Sequence, residues 1–160
     1  MRSEQEVGLA LERYADTVRR LCMIHLKNYA DTEDIFQTVF LKYALSSSDF
    51  ASEEHEKAWI IRVTLNACKD LLKSVFRSRT APLDALPEQG AALPEESREL
   101  LEAVLSLPLK YRQAVYLYYY EGYAAKEIAA MLHKNVNTVY TLLERAKKKL
   151  RSALGGEEDA

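Results

Sequence analysis

The stretch EGYAAKEIAAMLHKNVNTVYTLLERAKKKL, residues 121–150, contains two apolar periodicities separated by a short polar break. Before the break Ile128, Ala129, Met131 and Leu132 recur at helical spacing, with Lys126 and Glu127 pointing away. After it Val139, Leu143, Ala146 and Leu150 follow the i, i+4, i+7, i+11 pattern of a second helix. Two helices joined across His133, Lys134 and Asn135 read as a helix-turn-helix. Opposite its apolar stripe the second helix carries Asn137, Thr141, Glu144, Arg145 and Lys148. Residues 131–151 hold six Lys or Arg against the single acid Glu144. Such a helix suits a DNA major groove, where polar tips meet base edges and cations meet phosphates. The same residues also fit a solvated hairpin whose cations complement the C-terminal end of the helix dipole.

Outward from this stretch, charge is segregated along the 160-residue chain although the net charge is only −2. Residues 31–56 hold seven acids and one Lys, whereas residues 62–79 hold five bases and one acid. Residues 84–102 are acidic again, before the basic last helix. Two basic zones between acidic ones suggest two contacts with a polyanion and separate surfaces for a basic partner.

All four prolines fall between residues 82 and 108, and no glycine occurs between Gly8 and Gly90. Helices are expected at 4–28, 32–46, 53–76, 96–106 and 109–121, ahead of the helix-turn-helix. Ser52 followed by Glu53 and Glu54 is a helix-start signal, a capping hydroxyl ahead of acids that complement the dipole. No β alternation persists. The expected fold class is all-α: two small helical domains, 1–76 and 96–154, joined by a flexible linker over 77–95.

Several function classes lack the residues they need. The Cys22 and His25 pair has no further ligands at zinc spacing, and there is no Gly-rich phosphate loop, nucleophile elbow or metalloprotease helix. Paired acids such as Glu33 and Asp34 are explained as helix-start residues. No enzyme activity, metal or cofactor is expected. No apolar run approaches the roughly 20 residues of a membrane span, and the charged N-terminus has no signal core, so the expectation is a cytoplasmic protein without membrane insertion. Cys22 and Cys68 read as buried free thiols.

Two further stretches become specific together. DTEDIFQTVFLKYA, residues 31–44, and KAWIIRVTLNACKDLLKS, residues 57–74, resemble the second domain of bacterial RNA polymerase sigma factors of the small extracytoplasmic-function type. LSLPLKYRQAVYLYYYEGYAAKEIA and the helix-turn-helix that it leads into resemble their fourth domain. The resemblance covers nearly the whole chain in the right order. It implies a factor that binds core RNA polymerase and directs it to promoter DNA, with an anti-sigma factor as a candidate further partner.

By the same resemblance Glu33, Asp34, Gln37, Phe40 and Leu41 match positions that dock on the polymerase. Trp59, Arg62, Asn66, Asp70 and Lys73 match positions that open and read the −10 element, although Trp59 also fits a plain core aromatic. The loop SSSDFASEEHE, residues 46–56, corresponds to the family's pocket for a flipped base. Lys134, Asn137, Tyr140, Thr141, Arg145 and Lys148 match −35 contacts. The chain departs from the family pattern at Thr38, where an acid is usual, at Leu65 and Leu142, where Arg is usual, and at His133, where a turn Gly is frequent. Leu65 is expected to weaken phosphate binding, and Leu142 to alter the −35 contacts. Two other readings are a stand-alone helix-turn-helix repressor and an interaction adapter without DNA readout.

Overall fold

The computed structural model describes residues 1–78 and 95–155, which form helices and no strand. Two separate compact units carry them. The first holds α1 (Glu4–Leu26), α2 (Tyr29–Leu45) and α3 (Glu53–Ser78). The second holds α4 (Glu95–Leu105), α5 (Leu109–Val115), a π-helical turn (Tyr116–Tyr120), α6 (Ala125–Leu132) and α7 (Val136–Ala153). Most of the linker expected over 77–95 lies outside the described residues.

In the first unit each helix start has a side-chain cap. Ser3 Oγ accepts from the Glu6 N–H at 3.1 Å while Glu6 Oε1 accepts from the Ser3 N–H at 3.0 Å, a reciprocal pair that satisfies two otherwise orphan donors. Asn28 Oδ1 accepts from the Asp31 N–H at 2.8 Å, so α2 begins three residues earlier than the sequence pattern suggests. Lys27, at φ 53°, turns the chain between α1 and α2. Ser52 Oγ accepts from the His55 N–H at 3.1 Å and starts α3 as expected.

The three helices pack mutually around Val18, Cys22, Val39, Ile60 and Cys68, all fully buried. Below the loop between α2 and α3, Glu56 binds all three helices together. Its Oε1 accepts from the Tyr14 hydroxyl of α1 at 2.9 Å and its Oε2 from the Tyr43 hydroxyl of α2 at 2.6 Å. Arg2 holds the loop itself: its Nε donates to the Tyr43 carbonyl at 3.1 Å, and it also donates to the Ser48 carbonyl. The guanidinium lies 4.5 Å from the Tyr43 ring centroid and 5.2 Å from that of Phe50.

The second unit buries Leu117, Ile128, Val139 and Ala146, with α7 packed on α4, α5 and α6. It departs from helical expectation at the π turn, closed by the Glu121 N–H bonding the Tyr116 carbonyl at 3.0 Å, five residues back. The extra residue per turn keeps Tyr116 and Leu117 inside and leaves Tyr118, Tyr119 and Tyr120 exposed. Gly122, at φ 80°, then leads the chain into α6.

Candidate nucleic-acid interface

Helix α7 is two-sided. Val139, Leu142, Leu143 and Ala146 are buried, whereas Asn137, Tyr140, Thr141, Arg145 and Lys148 are all exposed, as is Lys134 in the turn before it. Asn135 caps the helix by accepting from the Asn137 N–H at 2.8 Å, which fixes where the exposed face begins. The Thr141 hydroxyl donates to the Asn137 carbonyl at 3.1 Å, which uses its proton and leaves its oxygen as an acceptor. Lys149 lies 5.6 Å from the Tyr111 ring centroid and is drawn back onto its own unit.

The turn has the geometry of a tight helix end. His133 adopts φ 57° and ψ 47°, and the Lys134 N–H bonds the Ala129 carbonyl at 2.8 Å, the six-to-one bond of a left-handed C-terminal cap. At the other end of α6, Glu127 Oε1 accepts from the Ala124 N–H at 2.8 Å, half of a capping box whose hydroxyl partner is absent at Ala124.

Leu142 corrects one expectation. The family resemblance sets an Arg of the recognition helix at this position, but the residue is 7% exposed and belongs to the inward stripe, one helical turn from Val139 and Ala146. Leu65, 5% exposed in α3, is likewise a core residue. Neither side chain is on a face where a cation would meet phosphate.

On α3, Arg62, Asn66, Asp70 and Lys73 are exposed at i, i+4, i+8 and i+11, one continuous face. Trp59, at the start of that face, is half-buried, its ring centroid 6.1 Å from Tyr43 and 5.7 Å from Phe50. It therefore joins the core to the α2–α3 loop and keeps part of its surface in solvent. A cleft of about 510 Å³ beside this loop is lined by Arg2, Tyr43, Phe50, Glu53 and Glu56 among others. Burial first, then the hydrogen bond and charge of Glu56, push the Tyr43 hydroxyl up to about 12.

On α2, Asp34, Gln37 and Leu41 share an exposed face with Leu45, a residue that sequence reasoning missed. Leu41 and Leu45 are 59% and 60% exposed, unusually high for leucines four apart on one helix. Glu33 is held to one side by Arg19, whose Nε and Nη2 donate to its carboxylate at 3.0 and 3.2 Å while the guanidinium sits 3.9 Å from the Phe36 ring centroid. Phe40 is not on this face. It is 6% exposed and packs in the core of the unit, because its place in the α2 stripe with Val39 and Tyr43 turns it inward. Thr38, where the family has an acid, donates its hydroxyl to the Asp34 carbonyl at 3.1 Å.

One buried cation was not anticipated. Arg112 of α5 is 6% exposed, its Nε and Nη1 have no hydrogen-bond partner, and burial lowers its pKa. Among the described residues no cluster of His, Cys, Asp and Glu could hold a metal ion, and no helix is long and apolar enough to cross a membrane.

Two family models match the chain in sequence order: sigma-70 region 2 over residues 10–78 and sigma-70 region 4 over residues 92–150. SigW of Bacillus subtilis, an extracytoplasmic-function RNA polymerase sigma factor, is 26% identical across 88% of this chain and 84% of its own length. SigE of Mycolicibacterium smegmatis, named likewise, is 30% identical across 90% of this chain and 60% of its own length. Among solved structures, the sigma factor RpoE of Bartonella quintana, crystallised with the anti-sigma factor NepR, superposes with a TM-score of 0.74 at 18% identity. That match covers 96% of this chain and 99% of the other, a likeness of fold. With both sigma-70 regions present, in order, over most of its length, the chain belongs to the extracytoplasmic-function sigma factors, which bring RNA polymerase to promoters to initiate transcription.

Proposed function

We propose that three exposed faces divide the work of promoter recognition. Asp34, Gln37 and Leu41 of α2, with Leu45 beside them and Glu33 at the edge, dock on core RNA polymerase. Two bare leucines ringed by a carboxylate and an amide suit a partner helix pair that carries Arg. Arg62, Asn66, Asp70 and Lys73 of α3, with Trp59 and the cleft at the α2–α3 loop, open and read the −10 element. An unstacked base costs a few kcal/mol, which aromatic surface and phosphate contacts offset. Lys134, Asn137, Tyr140, Thr141, Arg145 and Lys148 read the −35 element from the major groove. The working domains run 1–76 and 96–154, with a linker over 77–95. The protein acts without enzyme activity of its own, in the cytoplasm, and an anti-sigma factor is among its partners.

The observation that carries this reading is the two-sidedness of α7. A solvated hairpin has no need to spend every inward position on Val139, Leu142, Leu143 and Ala146 while the outward side offers donors, acceptors and cations in succession. Transcription with core polymerase on genomic fragments, followed by start-site mapping, tests it. Starts that appear only with this protein and share paired −35 and −10 elements are expected. A start pattern identical to that of core alone would overturn the reading.

A further inference from the structure

The first unit contains two cysteines from different helices whose sulfurs meet. Cys22 of α1 and Cys68 of α3 are 46 residues apart in sequence, both are 0% exposed, and their sulfurs meet in a thiol–thiol hydrogen bond at 4.0 Å. A buried thiol behaves as a small apolar residue and needs no partner of its own kind. Two of them in direct contact across a helix interface are placed for a cross-link, since a disulfide needs its sulfurs at about 2.05 Å.

We propose that Cys22 and Cys68 form an intramolecular disulfide on oxidation by a peroxide, and that this bond lowers promoter activity by displacing the exposed face of α3. In the chemistry, one sulfur attacks the peroxide O–O bond. It becomes a sulfenic acid, and the peroxide's other oxygen leaves as water. The second thiol then attacks the sulfenic sulfur, the S–S bond forms, and the hydroxyl departs as a second water. Two thiols are oxidised, one peroxide is reduced, and nothing else is consumed.

The position of the pair gives the bond its effect. Cys68 lies between Asn66 and Asp70, two residues of the outward α3 face. Closing the sulfurs from 4.0 Å to bonding distance draws α1 and α3 together at that level. A close-packed interior has no void to absorb such a movement, so α3 shifts or turns about its axis and carries Asn66 and Asp70 with it. Burial also sets the rate. The hydrogen bond that ties its thiol to Cys68, followed by burial, raises the Cys22 pKa, which keeps the reactive thiolate scarce. Reaction therefore proceeds through local opening of α1, and the pair responds to sustained oxidation and not to a brief pulse.

The effect on activity rests on the proposed role of the α3 face, whereas bond formation does not, and the test keeps the two apart. The full chain is treated with hydrogen peroxide, freed of it by desalting, and divided between intact-mass measurement with peptide mapping and transcription with untreated core polymerase. The expected product is a monomer lighter by two hydrogens in which the Cys22 and Cys68 peptides are joined. Its transcription should fall several-fold and return on reduction with dithiothreitol. Cys22→Ala and Cys68→Ala should keep their own starting activity through the same treatment. Sulfinic or sulfonic acids or disulfide-linked dimers in place of the internal bond would overturn the proposal. So would an internal bond that leaves transcription unchanged, or an equal loss of activity in the alanine variants. If either variant fails to fold, reversal by dithiothreitol in the unmodified chain decides between the disulfide and an irreversible lesion.

Discussion

The Tyr43 hydroxyl of α2 donates to Glu56 Oε2 of α3 at 2.6 Å, directly beneath the loop that Arg2 holds from the other side. The tyrosine is 3% exposed, and its folded pKa of about 12 stands above the ordinary 10.0. A raised pKa contributes stability that is whole below pH 10.0 and is lost as pH climbs through about 12. Chemical denaturation of the chain across that window should show the first unit weakening steeply. Tyr43→Phe should start less stable by about 1 kcal/mol, the typical net value of one hydrogen bond, and should lose less on the way up. Equal alkaline slopes for the two proteins would show that Tyr43 does not govern this limb.

Leu142→Arg is the change that family likeness alone would recommend for stronger DNA contact. With Leu142 7% exposed on the inward face of α7, the guanidinium would enter the core of the second unit. A loss of about 3 kcal/mol or more in the stability of that unit is expected, with no gain in promoter use. Thermal unfolding and transcription of the variant give both numbers, and a stable, more active variant would contradict the burial.

His133 occupies a left-handed conformation, φ 57°, that glycine adopts without a side-chain penalty. His133→Gly should therefore stabilise the second unit by about 1 kcal/mol, the order of the steric cost of a side chain there. Preference for −35 sequence should stay as it is, because the turn's hydrogen bonds to Ala129 and Ala130 are made by backbone. Denaturant midpoints of the two proteins check the sign.

The exposed face of α7 should separate holding from reading. Lys148→Ala is expected to weaken all −35 sequences alike and to reduce the magnitude of the salt slope by about one. Asn137→Ala or Thr141→Ala should relax preference at one or two base pairs, at about 1–3 kcal/mol each. Transcription from a library randomised over the −35 element, repeated at several salt concentrations, distinguishes them. A changed preferred sequence for Lys148→Ala, alongside unaltered ones for the other two, would reverse the proposed orientation of the helix.

On α2, Asp34→Arg combined with Gln37→Ala should abolish copurification with core polymerase while circular dichroism shows an unchanged helical fold, since both side chains are exposed. Retained copurification would move the docking face elsewhere.

The helix-turn-helix was legible because an apolar period of 3.6, a polar interruption and a resumed period are all local signals. The inward stripe of α7 was read too narrowly. Leu142 adjoins Leu143, and an i, i+3, i+4 face is wider than the i, i+4, i+7 pattern that first catches the eye. Phe40 is set on the docking face by the family resemblance alone, whereas its spacing with Val39 and Tyr43 places it on the inward stripe, 6% exposed. The bonds that Glu56 receives from Tyr14 and Tyr43 join residues 42 and 13 positions apart, and no local pattern announces them. Nor does composition register which carbonyl an N–H selects, so from sequence the π turn at Tyr116–Tyr120 is indistinguishable from ordinary helix.

That π turn gives the second unit a tolerance to changes of chain length. In an α-helix one residue added or removed rotates everything beyond it by roughly 100° and swaps buried for exposed positions. At Tyr116–Tyr120 the widened turn already accommodates one surplus residue, between a buried half that ends at Leu117 and the glycine turn at Gly122. Loss of one of the three exposed tyrosines would let the turn relax to ordinary α pitch without rotating α6 or α7. The tyrosine segment is thus where this domain can shed a residue while its helix-turn-helix keeps its orientation, a slack joint in an otherwise fixed frame.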